Sequence, residues 1–269
     1  MGFQHVSDGT VRDRLWMWGN EPKNQDPGWG FPGISRMTAV EAALYFDVPN
    51  VVMVTHKGLP APPLDKDAIA MRPLKRVVWS LVNSGGGTSD EYRDHVFDIA
   101  ARFPNFTGFI LDDFFRRAED GSLDASLSIE ELQTLRDRPA LPGRKLDIWA
   151  VHYTHQFDLP VSEHLGLCDN VNFWTWRSQE LADLERNFER LEDLYPDIGK
   201  VQGLYMWDFD AKQPVPVELM RHQCELGLKW LTEGRIEGMV FIASCLCDFE
   251  LPGVEWTRRW IAEVGDQYL

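Results

Sequence analysis

Eight short apolar runs recur along this chain, each followed by a stretch with helix-start signals, and that alternation constrains its fold more than any other feature. The runs are residues 15–18 (LWMW), 51–55 (VVMVT), 77–82 (VVWSLV), 108–112 (GFILD), 146–152 (LDIWAVH), 171–176 (VNFWTW), 203–207 (GLYMW) and 238–243 (GMVFIA). They are continuously apolar rather than alternating, as expected of parallel strands covered on both faces. Strand followed by helix implies a parallel sheet, and eight such units close a barrel. The expectation is one (β/α)8 TIM barrel over 1–269, a single catalytic domain of the α/β class. A doubly wound open sheet is the structural alternative.

Capping-box patterns mark three helix starts, at Thr38–Glu41, Thr88–Glu91 and Ser128–Glu131. Ser178 is placed to cap an amphipathic run over 181–195. Pro216 fits the first turn of a helix running through Trp230, and 255–264 reads as a closing helix. Helix signals after the second and fifth strands are weaker. Residues 19–35 form a long loop rich in Gly, Pro, Asn and Trp after the first strand. A loop of that length inside a compact domain is commonly a lid or binding loop, although a simple insertion has the same composition.

Composition narrows the function. The formal net charge of −15 disfavours nucleic acid, whose phosphates demand clustered Lys and Arg, and disfavours anionic membrane surfaces. With 44% hydrophobic residues the chain can build a large core. Residues 1–10 are polar and read as lacking a secretory leader, and no stretch is long and apolar enough to span a bilayer. The four cysteines, Cys168, Cys224, Cys245 and Cys247, sit in apolar segments without disulfide or zinc spacing, which reads as reduced thiols in a cytoplasmic protein.

Barrel enzymes draw their active sites from strand C-termini and the loops that follow. Reading where each apolar run turns polar yields Trp18, Asn20 and Glu21 from the first unit and His56 and Lys57 from the second. The third gives Asn83 and the Gly85–Gly87 turn, and the fourth Asp112 and Asp113. The fifth gives His152, Tyr153 and His155; the sixth Trp174, Trp176 and Arg177; the seventh Tyr205, Trp207, Asp208 and Asp210; the eighth Ser244, Cys245 and Asp248.

The acids carry most of the chemistry. If Ile110 faces the barrel interior, strand alternation puts Asp112 there too, and Asp113 points to the helix side or opens the loop. One of the two acids could instead cap a turn or pair with Arg116 or Arg117. Asp208 has the parity opposite to Tyr205 and Trp207, so it reaches the site only where the strand ends or bulges; contact with Lys212 is its bland alternative, and Asp210 is a loop substitute. Trp18, Trp174, Trp176 and Trp207 could be flat platforms for sugar faces or simply core. His152 could be an inward polar group or a satisfied core histidine. His56 and Asn83 could hold hydroxyls, and Arg177 could orient an acid. The triple-glycine turn lacks a Walker pattern, and Cys245 and Cys247 lack a partner for nucleophilic or metal chemistry. No metal site and no cofactor are expected.

The run Gly108-Phe-Ile-Leu-Asp112-Asp113 resembles the fourth strand of barrel-type glycoside hydrolases, and the strand-seven acid is similar in position to the second carboxylate of the large retaining clan. That resemblance implies cleavage of a glycosidic bond by Asp112, Asp113 and Asp208, with a small-molecule or oligosaccharide substrate. The chain departs from the pattern. The clan has Asn-Glu on strand four and Glu on strand seven, where this chain has Asp-Asp and Asp; in the chitinase-like pattern a Glu stands where this chain has Phe114. Two other readings compete. In one, a metal-dependent sugar isomerase or hydrolase gathers Asp112, Asp113, His152 and Asp208 around a divalent ion, although the first strand lacks His-x-His. In the other, the barrel binds carbohydrate without catalysis.

Overall fold

The computed structural model describes residues 9–138 and 144–269. The stretch read as lacking a leader therefore lies, apart from Gly9 and Thr10, outside the described residues. Eight parallel strands form the barrel: β1 (Leu15–Gly19), β2 (Asn50–Met53), β3 (Arg76–Val82), β4 (Phe106–Leu111), β5 (Asp147–Tyr153), β6 (Asn170–Trp174), β7 (Gly199–Tyr205) and β8 (Gly238–Ile242). Each strand pairs with its neighbours in sequence, and β1 closes the ring on β8 through Leu15↔Met239 to Trp18↔Ile242. The sheet is closed, as the repeated pattern predicts, and not an open doubly wound sheet.

The helices are α1 (Ala39–Phe46), α2 (Asp65–Ala70), α3 (Asp90–Arg102), α4 (Ile129–Asp137), α5 (Ser162–Leu165), α6 (Leu184–Leu194), α7 (Val217–Thr232) and α8 (Pro252–Val264). Two capping boxes form as read. Thr38 Oγ1 accepts from the Glu41 amide at 3.1 Å while Glu41 accepts from the Thr38 amide at 2.8 Å, and Ser128 and Glu131 repeat the exchange. The α3 start differs by one residue: Ser89 is the cap, because Thr88 donates its hydroxyl to Leu81 O at 2.7 Å instead. Ser178 opens a 3-10 turn (Ser178–Asp183) rather than capping α6. Pro216 is the cap of α7, and α8 begins three residues early with Pro252 at its first turn. The short α2 and α5 are the two segments with weak helix signals.

Strand alternation sorts the apolar runs between two layers. Phe109, Phe173 and Phe241 turn outward onto Phe97 of α3, Phe188 of α6 and Phe46 of α1. Inside the barrel, Trp16 of β1 meets Trp149 of the opposite strand β5 edge-on at 4.9 Å. The Arg76 guanidinium lies 4.6 Å from the Trp16 ring and donates to Asn50 Oδ1 at 3.1 Å, closing the lower end of the barrel. Burial holds its pKa down, to about 10. One layer higher, Trp18 meets Trp174 at 5.4 Å, and Trp174 meets Tyr205 at 5.0 Å. Gly203 makes room for that layer, since a Cβ there would stand 2.0 Å from the Trp174 ring.

Gly203→Ala is therefore expected to push Trp174 off its position and cost about 1–3 kcal/mol, the usual penalty for overpacking a core. Urea unfolding of the variant against wild type measures it.

Candidate functional site

The C-terminal mouth of the barrel holds an inner cavity of about 170 Å³. Trp18 and Asn20 line it from β1 and the following loop, His56 from the loop after β2, and Asp112 and Asp113 from the end of β4. Tyr153, Trp174, Trp176 and Tyr205 complete its aromatic wall, with Ile242, Ala243 and Cys245 on the β8 side. An outer cleft of about 600 Å³ adjoins it and shares Asp113, Tyr153 and Trp176; its far side carries Arg116, Arg117, His155, Arg177 and Glu180.

Asp112 is 5% exposed, and its Oδ1 accepts the amide of Asp113 at 3.0 Å. Burial, and then the neighbouring Asp113 charge, push its pKa well above the usual carboxylate range. Asp112 thus faces the mouth on the parity read from Ile110, in a setting that favours its neutral form. Asp113 does open the loop, but it does not turn away: a left-handed backbone (φ 44°) swings its side chain back over the cavity. There Oδ1 accepts the Tyr153 hydroxyl at 2.7 Å and Oδ2 accepts the Gly85 amide at 2.7 Å. The glycine turn after β3 therefore holds an acid. Gly86 in that turn has φ 77°, and a Cβ there would collide with the Arg116 guanidinium. Arg116 and Arg117 do not pair with Asp113; they go to Asp124 and Asp158. Burial, followed by Tyr205 and then the nearby acids, raises the Tyr153 hydroxyl well above its ordinary value.

Asp208 is not brought to these acids. The seventh strand ends at Tyr205, four residues of it lying before the run read from sequence, and Trp207–Asp208 forms a short ribbon with Gln213–Pro214. Asp208 Oδ2 accepts both the amide (3.0 Å) and hydroxyl (2.5 Å) of Ser178, and Oδ1 accepts the amides of Asp210 and Ala211 at 3.0 and 2.8 Å. Burial alone would raise its pKa, but these donors outweigh burial and lower it. The side chain ties the loops after β6 and β7 together. Asp210 sits outside both cavities and pairs with Arg177 at 3.2 Å. Arg177 reaches only the outer cleft.

His152 is also displaced from the reading. It faces away from the barrel interior, between Phe115, Phe157 and Tyr195 at 5.8, 5.3 and 5.8 Å. Consecutive strand residues face opposite ways, so the inward position belongs to Tyr153. With His152 outside and Asp208 tied, the four residues of a shared divalent site do not converge. Among the described residues no group of three or more His, Cys, Asp or Glu is placed to hold a metal ion.

The other candidates divide. Tyr153, Trp176 and Tyr205 converge on the cavity beside Trp18 and Trp174. His56 lines it with its ring 4.8 Å from Trp29, and burial lowers its pKa. Glu21 does not line it; burial, with the charge of Asp67, raises its carboxyl. Asn83 accepts the Ser80 hydroxyl at 3.1 Å and shapes the glycine turn. Trp207 donates its indole N–H to Trp29 O at 3.1 Å, buttressing the long loop instead of facing a ligand. Trp29 and Phe209, both in loops, line the cavity and were not singled out in sequence. For Trp29 the signal was present: it lies in the long loop at the mouth. That loop is pinned as a wall by Lys57–Asp26 at 2.7 Å, by Trp207 and by the Arg36 amide on Asp248 at 2.9 Å. Cys245 is buried, and burial raises its thiol to about 12, far from a thiolate nucleophile.

No family model matches the chain, and no curated protein sequence does. Solved structures match its fold. A GH99 endo-α-mannosidase from Bacteroides thetaiotaomicron superposes with a TM-score of 0.58 at 8% identity, over 95% of this chain and 98% of that one. A xylanase–α-amylase inhibitor protein, solved in complex with trehalose, has a TM-score of 0.57 at 11% identity, over 93% and 98%. A GH113 β-mannanase from Alicyclobacillus acidocaldarius has a TM-score of 0.51 at 10% identity, over 95% and 98%. At such identities the likeness is one of fold.

The displaced histidine generates a pH prediction. Burial lowers the His152 pKa to about 4, whereas an unfolded histidine titrates near about 6.5. The unfolded chain therefore binds the extra proton first, and stability is lost as pH falls from about 6.5 toward 4, by at most about 3 kcal/mol. His152→Phe should remove this part of the acid sensitivity, read as the difference between wild-type and variant urea midpoints from pH 7 to pH 4.5.

Proposed function

We propose that this barrel cleaves a glycosidic bond, with Asp112 and Asp113 as its acid machinery and a single sugar ring in the inner cavity. The observation that carries the reading is a buried carboxyl, its pKa raised by burial, beside a carboxyl held by a tyrosine hydroxyl and a backbone amide, both in an aromatic-walled cavity at the strand C-termini. Protonation of a leaving oxygen needs an acid that keeps a proton near neutral pH, and burial at Asp112 lets the adjacent Asp112–Asp113 pair supply one. Trp18, Trp174, Trp176 and Tyr205 offer apolar faces for a pyranose ring, and Tyr153 orients Asp113. The glycosidases among the fold neighbours support the same class. An oligosaccharide or small glycoside is the proposed substrate, and four free, buried cysteines support a reducing, cytoplasmic setting. No helix among the described residues is long and apolar enough to cross a membrane.

A second reading is a barrel that binds sugar without cleaving it. The tied Asp208 favours it, since it removes the carboxylate that would have faced Asp112, and the trehalose-bound inhibitor protein shows this fold in another sugar complex.

A panel of aryl glycosides separates the two. Under hydrolysis, Asp112→Asn and Asp113→Asn each lower kcat by about 10²–10⁴ while sugar binding persists. Asp208→Asn should lower stability and leave turnover near wild type. Absence of wild-type turnover on every glycoside, with unchanged sugar binding by both variants, would establish the binding reading.

Asp112→Asn carries a second expected outcome. A carboxyl whose folded pKa is raised is destabilising above its unfolded pKa, and the penalty fades as pH falls toward that value. The variant should therefore melt higher than wild type at pH 7, with the gain shrinking toward pH 4, as differential scanning calorimetry would show.

A further inference from the structure

The two acids are consecutive and approach a ligand from one side. The Asp113 amide donates to Asp112 at 3.0 Å, which keeps the carboxyls together. Asp112 lines only the inner cavity, whereas Asp113 lines both the cavity and the outer cleft. A glycosidic bond crossing that boundary puts its sugar ring against Asp112, its leaving group in the cleft and its bridging oxygen at Asp113.

The rest of the cavity wall carries Trp18, Trp174 and Tyr205, with Ala243 and Cys245. Among the described residues lining the cavity, Asp112 and Asp113 are the only carboxyls. Asp208 is held by Ser178, Asp210 and Ala211, and Glu180 lies in the outer cleft beside Arg177 at 3.6 Å, on the leaving-group side. Both usual routes need a carboxylate on the far face of the ring, as nucleophile or as base toward water. The two carboxyls of this cavity are consecutive and among the described residues no third one lines it, which leaves the attacking group to arrive with the substrate.

We infer that the substrate is a 1,2-trans glycoside of a 2-acetamido sugar, cleaved with its own amide oxygen as the nucleophile; this rests on the hydrolase reading above. The amide oxygen can reach the anomeric carbon from the face opposite the leaving group only when the two substituents are trans. The acetyl methyl suits the Trp18–Trp174–Tyr205 wall, and the amide N–H meets Asp112. A donor against Asp112 favours its ionised form, so the pair's one proton moves to Asp113, beside the bridging oxygen. The amide oxygen then bonds to the anomeric carbon as the bond to the leaving oxygen breaks. Asp113 gives that oxygen its proton, and the amide proton passes to Asp112, leaving a neutral fused oxazoline. Water next adds at the anomeric carbon and gives a proton to Asp113. The carbon–amide oxygen bond breaks and Asp112 returns the proton to nitrogen, which restores the pair and retains the anomeric configuration.

The test uses the full chain with matched 4-nitrophenyl β-glycosides of the gluco and galacto series, carrying either 2-acetamido or 2-hydroxyl. The expected result is a kcat/KM at least 100-fold higher for a 2-acetamido substrate than for its 2-hydroxyl parent. Replacing the acetyl methyl hydrogens by one, two and three fluorines should lower kcat progressively, since fluorine withdraws electrons from the attacking oxygen. Equal turnover of the 2-hydroxyl parents, or rates insensitive to fluorination, would overturn the inference and leave the hydrolase reading standing. No turnover on this set or on the wider glycoside panel would overturn both.

Discussion

The pairing of β1 with β8 is the contact on which the rest of this molecule depends. A closed ring has no sheet edge, and it forces alternate residues of every strand into one shared interior. Only in a closed ring do Trp16 and Trp149 meet across the axis, with Arg76 over the Trp16 ring below. The same closure turns eight separate strand ends into a single rim, so that groups more than a hundred residues apart in sequence, such as Trp18 and Trp174, form one wall.

The site built on that rim is asymmetric. Acidic chemistry concentrates at the end of β4, while the β1, β6 and β7 side is aromatic. The left-handed backbone at Asp113 creates the asymmetry, because it brings a residue of the wrong strand parity back over the cavity. Tyr153 and the Gly85 amide hold it there, and each depends on its own neighbourhood: Tyr153 on the β5 register that sends His152 outward, Gly85 on a turn that only glycine tolerates at Gly86. The left-handed backbone at Asp113 and the buried acid beside it are both costs to stability.

Asp208 shows how the same residue type takes a different part. Neither it nor Asp112 meets much solvent, yet its pKa is lowered where that of Asp112 is raised. Four donors surround Asp208 and make it a well-satisfied anion that joins two loops. Asp112 has one backbone donor, the Asp113 amide, and a neighbouring negative charge. Four donors against a shallower setting lower the one carboxyl, and deeper burial with a single donor raises the other.

Apolar continuity and helix-start residues by themselves determined the eight-unit barrel, the capping boxes at Thr38 and Ser128 and the identity of the strand that carries the cavity's acids. These are local properties, governed by side-chain polarity and backbone hydrogen bonding within a few residues. Tertiary structure decided what depends on where a strand stops and which way its last residue turns. The seventh apolar run, 203–207, starts four residues inside β7 and runs on through Trp207 after the strand has ended at Tyr205, and polarity marks His152 as inward where the β5 register gives that face to Tyr153. Asp113 reached the cavity through a backbone conformation that no polarity pattern encodes, and Trp29 and Phe209 entered it on loops whose paths are set by contacts with distant residues. Convergence of side chains is a long-range property of the closed ring, and it exists only once the ring has closed.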